Sequence, residues 1–406
     1  MNKSYANKIF PLSLIVVTVI AVCIYPYLNK VQATAVPPTD GQVDVGIDIN
    51  EPRPEIEVVF ALDTTSSMSG LIEAAKENIW SIASTMADAQ PAPIIKMGLV
   101  AFRDRGDAYI TKVFDLSEDL DGMYATLMDF KAQGGGDGPE SVNQALYEAV
   151  TKVSWSNNPN HYKVLFLVGD APPHMDYPND VKFPESIKLA TAKGIVVNTI
   201  QAGNDANTAR SWQKIAALSQ GNYFNVDQQG SRIAVATPFD EEIASLSKEL
   251  DNTRFFYGSV VEQKKNALKT AASEKLHALA SAATRAKRAM FNASESGREN
   301  FGGDKELVTD ITSGELRLDD VAEAELPAAI RALPSDKRKQ EIDRQAEKRA
   351  SITAKIAELA KKRDEFVDAE LAKTEDVDQS LDHQIYETVA SQAKDKGLNY
   401  EGGPKY

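Results

Sequence analysis

Cysteine is almost missing from this sequence. The 406 residues contain one cysteine, Cys23, which lies in an apolar stretch near the N-terminus. The chain after residue 23 has no thiol, which excludes a disulfide framework, a cysteine-ligated zinc site and a cysteine nucleophile in it. A body without cysteine can exist in either redox compartment, so cysteine usage does not decide the location of the protein.

Positive charge is scarce relative to negative charge. The chain has 45 lysines and arginines against 59 aspartates and glutamates, a formal net charge of -14. Because nucleic acids bind basic surfaces, this balance argues against a nucleic-acid partner. The content of hydrophobic residues, 43%, and of charged residues, 26%, is typical of a folded body rather than a disordered chain. The length predicts two modules plus tails.

The N-terminus has the layout of an export signal. Lys3 and Lys8 precede an apolar run over 9–28, and Ala33 and Ala35 then supply small residues before a cleavage point. The run approaches the roughly 20 residues that span a bilayer, so an uncleaved membrane anchor remains an alternative. Either interpretation predicts an exported protein, located in the periplasm, at the cell surface or in the medium. We assign residues 1–35 to this signal or anchor.

A linker and an alternating domain follow. Residues 36–55 carry proline, glycine and aspartate without apolar periodicity, which is typical of a linker. From 56 to 257, short runs rich in valine and isoleucine alternate with amphipathic helical patterns, and a shorter, more polar run at 109–114 could form an edge strand. The apolar runs lie at 56–62, 94–102, 164–168 and 195–200, and the helical patterns at about 68–88, 138–153, 182–193, 207–220 and 239–250. This order predicts an α/β, doubly wound fold with a mostly parallel sheet and helices on both faces.

The remaining residues, 258–406, predict a charged helical region. Leu268, Leu276 and Leu279 follow a helical spacing, and a long helix is expected over about 335–373. Four positions one heptad apart in the long helix, 342, 349, 356 and 363, read Ile, Arg, Ile, Arg, which interrupts a coiled-coil seam. We therefore expect this helix to dock on neighbours in its own chain, with a coiled coil as the alternative.

Polar residues follow two of the predicted strands. Asp63, Thr65 and Ser67 come directly after the first run, and Asp170 follows the third. In open parallel sheets, ligands bind beyond the carboxyl ends of the strands. A lone aspartate at such a place could be a helix cap or a turn former. Together, however, these alternating oxygens suit a hard cation such as Mg²⁺, and no imidazole or thiolate cluster is present to favour zinc.

The string Asp63-x-Thr65-x-Ser67 resembles the Asp-x-Ser/Thr-x-Ser signature of the metal-ion-dependent adhesion site in von Willebrand factor A domains. The resemblance covers about 56–257 and is to domains of the exported bacterial type. It implies a bound divalent metal, with Asp170 in the position of the third ligand loop. It also implies a protein partner whose acidic side chain completes the coordination of the metal.

The second loop departs from the commonest family form, which uses threonine. The loop reads Gly134 to Ser141, and its string Asp137-Gly-Pro-Glu140 is similar to the loop of integrin β-subunit domains. That likeness implies Glu140 as a ligand and Asp137 as a group for a second cation or an outer shell. In the alternative, the glycines form a turn and Glu140 lies in the first turn of a helix. We expect Mg²⁺, with Mn²⁺ or Ca²⁺ as alternatives, because a third carboxylate suits Ca²⁺ as well.

Binding to a protein partner is the function that we expect, without catalysis. A metal-dependent phosphoryl hydrolase on the same sheet would need a nucleophile and an acid/base group beside the metal. The dehalogenase-like pattern has a second aspartate where this chain has Thr65, and no nucleophile elbow is present. A scaffold acting through the C-terminal helices is a further alternative. Arg105-Gly106-Asp107 is interpreted as turn chemistry and His174 as a hydrogen-bonded loop histidine.

Overall fold

A computed structural model of the chain describes residues 53–136, 138–227, 235–373, 377 and 380–404. The segment predicted as a signal or anchor, most of the predicted linker and Asp137 lie outside these residues. Arg53–Tyr406 form one compact unit. Within the described ranges, no helix is both long enough and apolar enough to cross a membrane.

A six-stranded sheet is the centre of the unit, with the order β3-β2-β1-β4-β5-β6. Its strands are β1 (Glu55–Asp63), β2 (Ile94–Phe102), β3 (Thr111–Ser117), β4 (Tyr162–Gly169), β5 (Ile195–Ala202) and β6 (Tyr223–Val226). All neighbouring strands are parallel except the pair of β2 with β3, which is antiparallel. The predicted α/β, doubly wound, mostly parallel sheet is confirmed.

Both faces of the sheet are covered, because alternate side chains of each strand point to opposite faces. In β1, Val58 and Leu62 belong to one core cluster and Val59 and Ala61 to the other. The first face is covered by α1 (Ser69–Ala87) and α2 (Leu120–Met128). The second face is covered by α3 (Val142–Thr151), α4 (Phe183–Ala192) and α5 (Ala206–Leu218).

Three local predictions differ from the structure. The edge strand expected at 109–114 lies at Thr111–Ser117, and the short elements α2 and β6 were not predicted. The helix expected over 138–153 begins only at Val142. Before it, Glu140 forms a parallel bridge to Pro173 of the neighbouring loop, which keeps this residue out of the helix.

Helices dominate the rest of the chain, as predicted. In the described residues they are α6 (Asp240–Asp251), α7 (Val260–Leu279), α8 (Ala282–Ala293), α9 (Arg298–Gly302), α10 (Leu307–Thr312), α11 (Ala328–Arg331), α12 (Ser335–Leu371) and α13 (Leu381–Ala393). The apolar stripe of α12, including Ile352, Ile356 and Leu359, packs against Ile243 of α6 and Ala286 of α8. The long helix thus docks on its own chain.

Packing crosses residue 257, the predicted limit of the first domain. The ring of Phe291 in α8 lies 5.7 Å from that of Trp80 in α1. Leu381 and Ile385 of α13 join the same core cluster as the α1 face of the sheet. The C-terminal helices therefore complete the hydrophobic core of the sheet.

A buried ion pair also connects the two regions. Asp121 of α2 and Arg288 of α8 are both fully buried, and the Arg288 Nε atom donates to Asp121 Oδ1 at 2.6 Å. Arg288 also lies 2.9 Å from Asp251 at the end of α6. Burial alone would raise the pKa of Asp121, but the Arg288 guanidinium holds it well below its usual range. Removing either partner would leave an uncompensated charge in the core.

Candidate functional site

Asp63 ends β1, the strand between β2 and β4 where the strand order reverses, and this is where open α/β sheets bind ligands. The Asp63 side chain is 1% exposed. Its Oδ1 atom accepts hydrogen bonds from the Thr65 backbone N–H at 2.8 Å and from the Thr65 hydroxyl at 2.7 Å. Its Oδ2 atom is buried and has no hydrogen-bond donor among the described residues. One oxygen thus orients the carboxylate and the other is left for a ligand.

Ser67 and Asp170 join Asp63 and Thr65 at this edge. The Thr65 and Ser67 hydroxyl oxygens are 3.4 Å apart. The Ser67 side chain donates to the Asp170 carboxylate, although burial raises the pKa of Asp170 overall. The Asp170 backbone carbonyl accepts from the Thr208 hydroxyl at 3.1 Å, which fixes this loop to the start of α5. The loops after β1 and β4 therefore place their oxygens side by side.

Glycines let the second loop approach the first. Gly135 has φ +78°, and a Cβ there would lie 3.3 Å from both the Glu140 carboxylate and the Thr65 side chain. The neighbouring Gly134 accepts two hydrogen bonds at its carbonyl from Ser66, at 2.8 Å from the hydroxyl and 3.2 Å from the backbone N–H. This close contact brings Glu140 beside Thr65.

Glu140 is extended and lies between the second and third loops. Its N–H donates to the Pro172 carbonyl at 3.0 Å, and its carbonyl accepts from His174 at 3.1 Å. Helix α3 begins only at Val142, so the alternative in which Glu140 lies in the first turn of a helix is wrong. The side chain is 4% exposed, and its Oε2 atom has no donor within the described ranges.

The site is rich in buried carboxylates that the described residues compensate only in part, since the Arg103 guanidinium lowers the pKa of Asp63 without offsetting its burial. Burial raises the pKa of Asp63 to about 7 against the hydrogen bonds from Thr65, and Asp170 adds to the increase. Burial also raises the pKa of Glu140 to about 9, and repulsion by nearby carboxylates contributes. Buried ionised carboxylates need a partner charge, and a divalent cation supplies one. The donor set, carboxylates and hydroxyls only, fits a hard cation such as Mg²⁺ or Ca²⁺.

Two further aspartates, Asp104 and Asp107, form a wall of the site that the sequence analysis did not identify. The Asp107 carboxylate accepts from the Gly135 N–H at 3.0 Å and the Asp104 N–H at 3.2 Å. The Asp104 carboxylate accepts from the Tyr177 hydroxyl at 2.7 Å. Both aspartates raise the pKa of Glu140. Their position after β2, which ends at the same edge as β1, was the available signal.

His174 belongs to the third loop and is hydrogen-bonded there, which is the role expected for it. Its Nδ1 atom lies 2.8 Å from Asp176, and its ring stacks on Tyr177 at 3.9 Å. Its Nε2 atom is 3.4 Å from the Asp104 carboxylate. It therefore supports the loop rather than offering a free ligand atom.

A second cluster lies near the opposite end of β1. In the described part of the chain, one group of side chains places its possible metal-ligand atoms within 4.8 Å of one another. The group consists of Glu55, Glu57 and His161. Lys96 already contacts both Glu55 oxygens at 2.9 Å. The Glu57 carboxylate accepts from the Ser156 N–H at 3.0 Å. Glu55 is thus paired with a lysine, whereas burial raises the pKa of Glu57 despite the hydrogen bond from Ser156.

Solved structures and a family model show which proteins this chain is similar to. Among the solved structures similar to it, three each match 43% of this chain. Proximal thread matrix protein 1 of the mussel byssus matches at 16% identity with a TM-score of 0.34 over 42% of its length. The same protein with a zinc-occupied MIDAS motif matches at 17% identity, a TM-score of 0.34 and again 42%. The VWA domain of SpRpn10 matches at 14% identity with a TM-score of 0.33 over 89% of its length.

This chain thus spans less than half of the length of the mussel protein. The search of curated protein sequences finds no significant match. The family model of the von Willebrand factor A domain matches residues 57–237, the segment that holds the sheet and the three loops described above. Residues 57–237 of this chain are a von Willebrand factor A domain.

Proposed function

We propose that the A domain binds a protein partner through a divalent cation at the carboxyl edge of its sheet. The observation that carries the proposal is the pair of buried carboxylates, Asp63 and Glu140, each with an oxygen that no donor in the described residues contacts. Buried charges that serve only the stability of a fold are normally paired with a protein cation, as Glu55 is with Lys96. Domains of this family commonly mediate protein–protein interaction, and a metal gives such an interaction direction.

Five side chains would hold the ion, and Mg²⁺ is the ion that we propose, with Mn²⁺ or Ca²⁺ as alternatives. They are Asp63, Thr65, Ser67, Glu140 and Asp170. When bound, the ion supplies the positive charge that attracts an acidic side chain of the partner. Because Mg²⁺ prefers near-octahedral oxygen coordination and keeps waters, a site of hydroxyls and carboxylates suits it. Asp137 is proposed as an outer group of the same site.

Binding is favoured over hydrolysis by the role of Thr65. Its hydroxyl donates to Asp63 instead of offering an acid/base group at the position where a phosphoryl hydrolase needs one. We also propose that the protein is exported, because of the charged flank, the apolar run and the small residues before position 36.

Titration calorimetry of the full chain with Mg²⁺ tests the site. Asp63→Ala should abolish or strongly weaken binding. Asp176→Ala is the matched control, since Asp176 lies in the third loop but is 74% exposed. Unchanged binding in Asp63→Ala would refute the site. Loss in both variants would mean that charge near the edge, and not this ligand set, governs the affinity.

A second experiment tests the partner. The wild type and Asp63→Ala are compared in pull-downs from envelope extract, each with Mg²⁺ and with chelator. A partner that is retained only by the wild type and only with Mg²⁺ supports the proposal. A partner retained in all four conditions would support the scaffold alternative.

A further inference from the structure

Helix α7 carries an unusual concentration of exposed apolar side chains. In the described part of the chain, eight large hydrophobic side chains are exposed, and four of them lie on this helix. They are Val260 (83% exposed), Val261 (78%), Leu268 (68%) and Leu279 (58%). Isolated exposed apolar residues are ordinary, but a contiguous patch usually marks an interaction surface.

Three of these side chains lie on one line. A helix turns by about 100° per residue, so positions 7 and 18 residues after Val261 return to within about 20° of it. These positions are Leu268 and Leu279, and the line is about 27 Å long. The face around it also contains the exposed Ala271 and two lysines, Lys264 and Lys275. We call Val260, Val261, Lys264, Leu268, Ala271, Lys275 and Leu279 the α7 outer face.

The side of α7 that packs into the protein adjoins this line on one flank, where Ala272 is only about 20° from it around the helix. Leu276, Ala272 and Ser273 are buried, and Leu276 joins the core beneath α1 and α2. The sequence analysis grouped Leu268, Leu276 and Leu279 by their helical spacing, but of these three leucines only Leu276 packs into the core. The outer face therefore has no role in the core of its own chain.

The charge on the outer face is positive, although the protein as a whole is acidic. Lys264 makes no ion pair within the described residues, and Lys275 pairs with Asp129, which is 74% exposed. The acidic residues of the helix lie off the centre of this face, and Glu262 is engaged in capping the helix at Ser259. Exposed pairs such as that of Lys275 contribute little and are easily exchanged.

A second copy of this chain is a poor occupant for the face. Antiparallel packing of two α7 helices would place Lys264 of one copy opposite Lys275 of the other, a contact of like charges. The face also lacks the aromatic side chains that dominate protein interfaces. It is the convex side of one helix, with apolar side chains between lysines whose long stems can reach outward, which suits a lipid surface.

We propose that the α7 outer face lies on an anionic lipid surface, with its valines and leucines in the headgroup boundary and its lysines at the phosphates. The sequence also carries the apolar run 9–28, a predicted export signal or anchor. As an uncleaved anchor, this run would hold the body at a membrane, where only a weak additional contact is needed to fix one orientation.

The test uses the full chain reconstituted in vesicles. A fluorophore is attached to Leu268→Cys in a Cys23→Ser background, and its quenching by aqueous iodide is measured. Leu218→Cys is the matched control, because Leu218 is an exposed leucine, 47%, that stands alone on α5. Neither substitution removes a core contact. In vesicles with about one third phosphatidylglycerol, the dye at 268 should be protected from iodide and the dye at 218 should not.

Lysine variants and lipid composition test the charge. A juxtamembrane lysine contributes about 1 kcal/mol at an anionic surface, so Lys264→Gln should lower the ratio of protected to exposed dye about fivefold. Lys361→Gln, at an exposed lysine of α12, should leave it unchanged. Equal quenching at 268 and 218, or equal protection in pure phosphatidylcholine, would overturn the proposal. Protection that rises with protein concentration in the same vesicles would assign the face to a second copy instead.

Discussion

Replacing Glu140 by glutamine separates the two effects of charge at the carboxyl edge of the sheet. The substitution keeps the size of the side chain and removes its negative charge. In the absence of metal, this charge destabilises the folded state, because the side chain is buried and surrounded by Asp63, Asp104, Asp107 and Asp170. In the presence of Mg²⁺, the same charge should attract the ion. Glu140→Gln should therefore raise stability without metal and lower the gain that metal brings.

The magnitude follows from the pKa of Glu140, which is about 9 in the folded chain against an ordinary value of 4.5. Between these values the folded state holds a proton that the unfolded state releases, so stability falls as the pH rises through this window. One pKa unit corresponds to about 1.4 kcal/mol, and pH 7 lies 2.5 units above the ordinary value. At pH 7, metal-free Glu140→Gln should thus be more stable than the wild type by up to about 3 kcal/mol. At pH 4.5 most of this difference should vanish.

The assay is urea unfolding of both proteins at pH 7 and pH 4.5, each with chelator, and at pH 7 also with Mg²⁺. At a Mg²⁺ concentration one hundred times the Kd, the wild type should gain about 2.7 kcal/mol, and the variant should gain less. Glu148→Gln is the control, since Glu148 is also buried but bonds to Lys152, Thr111 and Gln144. Burial would raise the pKa of Glu148, but these partners lower it, so its neutralisation should destabilise the protein.

Two results would refute the reasoning. If metal-free Glu140→Gln is less stable than the wild type at pH 7, the charge of Glu140 is compensated by the protein itself. If Mg²⁺ stabilises both proteins equally, Glu140 does not contribute to the metal site.

Three other perturbations test the surrounding structure. Gly169→Ala would place a Cβ 3.0 Å from the Cβ of Asp63, so Mg²⁺ affinity measured by calorimetry should fall about tenfold, and an unchanged affinity would mean that the loop adapts freely. Arg288→Met should lower the free energy of unfolding in urea by about 3–5 kcal/mol, because Asp121 is left buried and unpaired. The pKa of Asp121 is lowered in the folded state, so the ionised carboxylate stabilises the fold fully above about pH 4 and progressively less at lower pH. In Asp121→Asn, the free energy of unfolding should not show this decrease when the protein is titrated with acid. Deleting residues 380–406 removes Leu381, Ile385 and Val389 of α13, together with Ala393 and Leu398, from the core. This deletion should cost about 5 kcal/mol or more in urea unfolding, whereas unchanged stability would show that α13 is dispensable.

Much of the sheet could be predicted because its signals are local. The strands β1, β2, β4 and β5 are buried on both faces, and such strands must be continuously apolar, so short runs of valine and isoleucine identify them. Strand β6 has only four residues, and α2 has nine, about two and a half turns, so neither carries enough periodicity to be recognised.

The candidate site was predictable where one loop holds several ligand atoms. Asp63, Thr65 and Ser67 are two residues apart in one segment, so their proximity follows from the chain itself. Asp104 and Asp107 follow β2 at the same edge, but their proximity to Glu140 depends on hydrogen bonds from Ser141 and Gly135, which are distant in the sequence. The conformation of Glu140 was also open, since the bridge to Pro173 that keeps it out of the helix joins loops 33 positions apart.

The sequence by itself determined the α/β class, the helical character of the C-terminal region and the position of the first ligand loop, because each depends on residues close together in the chain. The tertiary structure alone decided which side of α7 is buried, how α13 completes the core of the sheet and which carboxylates surround Glu140. The reason is physical: periodicity shows that a helix has an apolar side but not what covers it. Likewise, the burial that raises the pKa of a carboxyl group arises only when distant segments pack together.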